Sequence, residues 1–94
     1  MKTALVTGAS SGFGLLAAVE LARQGYVVFA TMRTPANRLA LDKACHAAKV
    51  KVEVLPLDVT RQESIAACVE AVRRRAGRLD VLVNNAGIAI GGYF

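Results

Sequence analysis

Acidic side chains are scarce in this chain: 7 Asp and Glu stand against 12 Lys and Arg, for a net charge of +5. That balance raises nucleic acid as a partner, but the basic residues are scattered except for Arg73, Arg74 and Arg75. Those three fall in an expected last helical turn, where they complement the negative end of the helix dipole, so no nucleic-acid partner is expected. Long apolar runs are also missing. None approaches the roughly 20 residues that a membrane-spanning helix needs, so no membrane partner is expected. Cysteine is limited to Cys45 and Cys68, without a C-x-x-C spacing. Reduced, half-buried thiols in helices are the expectation, not a disulfide or a metal centre. His46 is the only histidine. One histidine beside one cysteine makes no metal site, and a solvated helix position is expected for it. There is no tryptophan, and the aromatics amount to 5%. The first strand-like run starts at Lys2, which leaves no room for a cleavable leader, and a cytoplasmic protein is the expectation.

With 54% hydrophobic residues in 94, the chain is too apolar for disorder and long enough for one domain with a modest core. It is organised around the stretch Thr7-Gly8-Ala9-Ser10-Ser11-Gly12-Phe13-Gly14, between the apolar runs Ala4-Leu5-Val6 and Leu15-Leu16-Ala17-Ala18-Val19. This reads as strand, glycine-rich turn and helix. Gly8 lets the strand turn sharply, Gly12 lets a diphosphate approach, and Gly14 lets the helix pack close to the strand. The helix start, with unpaired N–H groups and the positive dipole end, favours an anion.

The remaining elements alternate. The first helix runs to about Gln24 and Gly25 ends it. Tyr26 to Thr31 is nearly continuously apolar, as in a parallel strand buried on both faces. Thr34 and Pro35 predict a helix start, N-cap and first position, of a helix reaching about Ala48. Its apolar stripe is partial, and Asn37 is a poor helix former. Val50 to Leu55 alternates apolar and charged residues before Pro56, which argues for an edge strand. Thr60-Arg61-Gln62-Glu63 reads as a capping box opening a helix that Gly77 stops. Asp80 to Val83 is a fourth strand, apolar enough to be central, and Asn84-Asn85-Ala86-Gly87 leaves its carboxyl end. The expected architecture is α/β: a Rossmann-type doubly wound parallel sheet of four strands in the order 3-2-1-4, one partial domain over residues 1–94, with the second half of the full fold missing.

In such a sheet, ligands bind at the carboxyl ends of the strands beside the reversal of strand order. The glycine turn, Arg33, Asp58 and the segment from Asn84 to Gly87 all fall there. The spacing T-G-x-x-x-G-x-G, with Asn84-Asn85-Ala86-Gly87 and Leu79-Asp80-Val81 at these offsets, closely resembles the short-chain dehydrogenase/reductase family, from Thr3 to about Gly91. The resemblance implies a nicotinamide dinucleotide as cofactor. The loop from Gly8 to Gly14 would wrap its pyrophosphate, with Ser10 and Ser11 close to the adenosine ribose. Phe13, where the family usually has Ile or Leu, would contribute a backbone N–H. Asp58 would accept from the adenine amino group and the Val59 backbone would flank the ring. Asn84 and Ala86 would line the adenosine-side ribose, Gly87 completes that motif, and Asn85 would tie the central strands together.

Charge argues the choice of cofactor. An NAD-specific site has an acid at the end of strand two, whereas this chain has Thr31-Met32-Arg33. Arg33 offers the bidentate contact that a 2′-phosphate favours, so NADP(H) is expected over NAD(H). The family's proton-transfer pair, Tyr-x-x-x-Lys with a Ser, has no counterpart: Tyr26 has Ala30 four residues on, and Tyr93 is followed only by Phe94. No catalytic residue is therefore assigned. The expected function is the cofactor-binding first portion of an NADP(H)-dependent oxidoreductase that interconverts an alcohol and a carbonyl, its small-molecule substrate bound only in a longer parent chain. The alternative is a non-catalytic module that binds a nucleotide or pairs through strand four. An apolar strand four at an open edge would favour a homo-oligomer or such pairing.

Overall fold

A computed structural model of the chain describes residues 1–85. Its elements are β1 (Thr3–Val6), α1 (Gly12–Arg23), β2 (Val27–Met32), a 3-10 turn (Pro35–Asn37), α2 (Leu39–Ala48), β3 (Glu53–Pro56), α3 (Gln62–Ala76) and β4 (Val81–Val83). All pairings are parallel and the strand order is β3-β2-β1-β4, as the sequence implies. In register, Leu5 stands between Phe29 and Leu82.

Alternate residues of each strand face opposite sides of a sheet, and the apolar residues divide accordingly. Ala4, Val6, Val28, Ala30 and Met32 meet Ala18 of α1 and Leu41 and Cys45 of α2. Leu5, Phe29 and Leu55 meet Ile65, Cys68, Val69 and Val72 of α3. The near-continuous apolar pattern of β2 follows from this, because it serves both cores. Cys45 and Cys68 are buried free thiols in different cores. Burial pushes the Cys68 thiol up to about 11 and raises Cys45 as well, so both stay protonated and unreactive. His46 is exposed on α2. Among the described residues, no helix is long and apolar enough to cross a membrane, and no cluster of His, Cys, Asp or Glu could hold a metal ion.

Two local expectations need correction. The second helix begins at Leu39, not at Pro35. Pro35–Asn37 forms its own 3-10 turn, closed by the Asn37 N–H on the Thr34 carbonyl at 2.9 Å, and Thr34 makes no side-chain cap. Arg38 follows at φ −91° and ψ 1°, outside the helix. The α-helical ladder starts after it, supported by the Arg38–Asp42 ion pair at 3.0 Å. The capping box also fails to form. The Thr60 hydroxyl donates to Asp58 Oδ1 at 2.6 Å, and Glu63 pairs with Arg61. A charge-assisted bond to a carboxylate outcompetes a neutral cap on a peptide N–H. Gly77, at φ +72°, ends α3 as expected.

β4 is held to β1 by Asp80. Its Oδ2 accepts from the Thr3 N–H at 2.8 Å, and its own N–H donates to the Thr3 carbonyl at 2.9 Å. Arg78 caps the carboxylate from the other side at 2.6 Å. The Arg78 bond, then the Thr3 bond, lowers the Asp80 pKa from its ordinary 3.8. The folded protein therefore binds this proton at lower pH than the unfolded chain. The carboxylate's contribution is complete above the unfolded value and is lost as the pH falls through the folded one. Asp80→Asn is expected to lose less stability than wild type between about pH 5 and about pH 2, measured by urea midpoints. Parallel acid limbs for the two proteins would refute this role.

Candidate functional site

The site is assembled from the carboxyl ends of three strands. Beyond β1, the buried Thr7 N–H donates to the Val83 carbonyl at 2.9 Å, and Ala9 N–H donates to the Thr31 carbonyl at 2.9 Å. The turn is thus anchored to β4 on one side and to β2 on the other. Thr31, also fully buried, donates its hydroxyl to the Val6 carbonyl at 2.9 Å. Between these anchors the chain reverses at Gly8, whose φ of +64° is left-handed.

Helix α1 then starts at Gly12, with Ser11 as an extended N-cap that makes no side-chain cap bond. The first-turn N–H groups therefore receive no side-chain cap from Ser11. A Cβ at Gly14 would sit 2.2 Å from the Gly8 carbonyl oxygen, so the helix packs directly on the turn. At Gly12 a Cβ would meet nothing within 4 Å, so that side of the turn is open. Phe13 and Ser11 are exposed on the rim.

Beside the turn lies a cleft of about 260 Å³ lined by Thr7, Gly8, Ser10, Met32, Arg33, Leu57, Asp58, Val59 and Thr60. The glycine turn, Arg33 and the Asp58-Val59 pair thus share one cavity, as the sequence suggests. Within it, Arg33 Nε stands 3.5 Å from Asp58 Oδ2, with the Arg33 side chain 78% exposed and that of Asp58 19%. Asp58 is held firmly: Oδ1 accepts from the Thr60 hydroxyl at 2.6 Å and the Thr60 N–H at 3.0 Å. Its backbone N–H donates to Ser64 Oγ at 2.8 Å. The Thr60 bonds lower the Asp58 pKa below its ordinary 3.8, with smaller help from Arg33 and Arg61. The group is a carboxylate at neutral pH, an acceptor with one oxygen turned toward Arg33.

The segment after β4 is placed differently. Asn84 Oδ1 accepts from the Thr7 hydroxyl at 3.3 Å, and Asn84 does not line the cleft. Asn85 donates its side-chain N–H to the Gly8 carbonyl at 3.2 Å, and the same nitrogen would lie 3.0 Å from a Cβ on Gly14. It braces the glycine turn from the β4 side. Ala86 and Gly87 lie outside the described residues. Sequence reasoning overlooked Thr60 and Ser64 as the groups that fix Asp58. The signal was available: a Thr and a Ser two and six positions after an acid that ends a strand.

A parallel sheet in this order, with a glycine turn and a cleft at its carboxyl ends, defines a Rossmann-type α/β protein. The chain belongs to the short chain dehydrogenase family, whose family model it matches over residues 2–94. It is 50% identical over 94 residues to the uncharacterized oxidoreductase YusZ of Bacillus subtilis, an alignment covering 98% of this chain and 33% of that protein. Two solved structures are similar. One is a metagenomic short-chain oxidoreductase in complex with NADP (TM-score 0.83, 38% identity, 93% of this chain and 39% of that one). The other is an actinorhodin polyketide ketoreductase with NADPH (TM-score 0.82, 41% identity, 93% and 33%). The chain spans about a third of the length of the curated relatives it matches.

Proposed function

We propose that residues 1–94 form one partial domain, the cofactor-binding portion of an NADP(H)-dependent oxidoreductase that interconverts an alcohol and a carbonyl. The observation that carries this reading is Arg33 at the rim of the cleft, at the end of β2, where an NAD-specific site would carry an acid. The NADP and NADPH bound by the two similar structures support it. The residues present fit such a group: the open side at Gly12, the uncapped first turn of α1 and the adjoining cleft can take a pyrophosphate and an adenosine end to end.

On this reading the backbone from Gly8 to Gly14, Phe13 included, binds the pyrophosphate, and Ser10 and Ser11 face the adenosine ribose. Arg33 holds the 2′-phosphate. Asp58 accepts from the adenine amino group with Val59 against the ring, and Asn84, Ala86 and Gly87 serve the ribose from the β4 side. When bound, the nicotinamide would give or take the hydride. This chain's own residues bind and orient the dinucleotide. No Tyr-x-x-x-Lys pair is present in the sequence, so the proton transfer is assigned to a longer protein. β4 is the outer strand of the described sheet and its Leu82 is 37% exposed, which favours a second reading as a strand-pairing module. The Arg33 test separates the two, because only the first requires a 2′-phosphate contact.

Arg33→Ala is expected to weaken NADPH binding by about tenfold to a hundredfold, the weight of a charged hydrogen bond, while NADH binding stays within about twofold. Fluorescence titration of both cofactors against wild type and variant checks this. An equal loss for both would sink the assignment of Arg33 and with it the preference for NADP(H).

A further inference from the structure

We infer that Asp58 tempers the cleft's preference for a 2′-phosphate, by holding Arg33 in an ion pair with which the phosphate has to compete. The inference rests on the proposed role of Arg33 and adds a second residue to it. The geometry is asymmetric. Asp58 cannot turn away, because two bonds from Thr60 fix Oδ1 and Ser64 fixes the backbone N–H. Oδ2 is therefore left facing the Arg33 guanidinium at 3.5 Å. Arg33, 78% exposed, is the partner free to move. Thr60 is thus a positioning residue that keeps the carboxylate aimed at Arg33.

A 2′-phosphate brings a second anion to the same guanidinium. Arg33 must leave Asp58 or be shared with it, and the two anions then stand near one another across one cation. At 3.5 Å the Arg33–Asp58 contact is coulombic more than a formed hydrogen bond, so its pull is modest and falls with salt. In an NAD-specific site, an acid at the end of the second strand rejects the phosphate outright. Here the acid stands one strand further out and has a cation in front of it. The result is a graded preference in place of an absolute one.

The test compares binding of adenosine 2′,5′-bisphosphate and adenosine 5′-monophosphate to the 94-residue chain by calorimetry at low salt. Asp58→Asn keeps an oxygen for the Thr60 N–H and removes the charge. It is expected to raise the ratio of the two affinities by about twofold to fivefold, the range of an exposed ion pair. Asp58→Ser should give the same direction if the first variant folds poorly. In the Arg33→Ala background the effect of Asp58→Asn should shrink to less than half, since the pair is already gone. An unchanged or lowered ratio in Asp58→Asn overturns the inference. So does an equal rise with and without Arg33, which would mean direct repulsion of the phosphate. If the wild type does not prefer the bisphosphate and Arg33→Ala changes nothing, the NADP(H) reading itself has failed, and the inference falls with it.

Discussion

Gly14→Ala is expected to destabilise the chain by about 2 kcal/mol, although alanine is the better helix former. Propensity alone would favour the substitution by about 1 kcal/mol. Against this stands the Gly8 carbonyl oxygen, 2.2 Å from the new Cβ, with the Gly8 carbonyl carbon at 2.8 Å. These are backbone atoms of a turn anchored to both neighbouring strands, so no side chain can rotate out of the way. Overpacking against such a wall costs up to about 3 kcal/mol. Moving the turn also endangers the Asn85 bond to Gly8, worth about a further 1 kcal/mol. The clash therefore wins over propensity. Urea unfolding should show a lower midpoint at unchanged slope, and the melting temperature should fall by roughly 10 °C. A midpoint at or above that of wild type would show that α1 can shift freely and that the close approach has no energetic weight.

Phe29→Ala should cost more, about 4 kcal/mol, within the range for deleting a buried phenyl ring. Phe29 is 1% exposed in the middle of β2, beside Leu5 in register and in one cluster with Leu55, Ile65, Cys68, Val69 and Val72. β2 has a strand on each side, so the backbone cannot sink to fill the cavity. Small domains have total stabilities near the lower end of about 5–15 kcal/mol, so the variant should be largely unfolded well below the melting temperature of wild type. Circular dichroism against temperature would show it. A loss below about 1 kcal/mol would mean that α3 collapses onto the vacated space and that this core is loosely packed.

The strand order was legible because two independent signals agree on it. The alternating pattern before Pro56 marks β3 as an edge, and the unbroken apolar pattern of β2 marks it as central. Gly8, Gly14, Gly25 and Gly77 were legible because their conformations or contacts exclude a Cβ or require a left-handed φ. What misled was local polar competition. Thr60 has the right spacing to Glu63 for a cap, yet its hydroxyl turns at 2.6 Å to Asp58, a local partner two residues earlier that competes for it. Thr34 and Pro35 carry start signals for a helix, but the 3-10 turn they open ends at Arg38, φ −91° and ψ 1°, before the α-helical ladder forms. The pairing of Arg33 with Asp58 was not readable at all. Both were singled out for a ligand, and nothing in their spacing of 25 residues shows that they also face one another.

The Asn85 bond to the Gly8 carbonyl spans 77 positions of sequence, as do the Asp80 and Asn84 contacts with Thr3 and Thr7. The glycine turn near the start of the chain is therefore unfinished until β4 has docked. During synthesis from the first residue onward, β1, α1 and β2 can assemble early, but the loop gains its brace only once residue 85 is available. On the proposed function, a nucleotide that binds the finished loop would also favour the docked β4 by mass action. Ligand affinity and closure of the sheet are then two readings of one equilibrium.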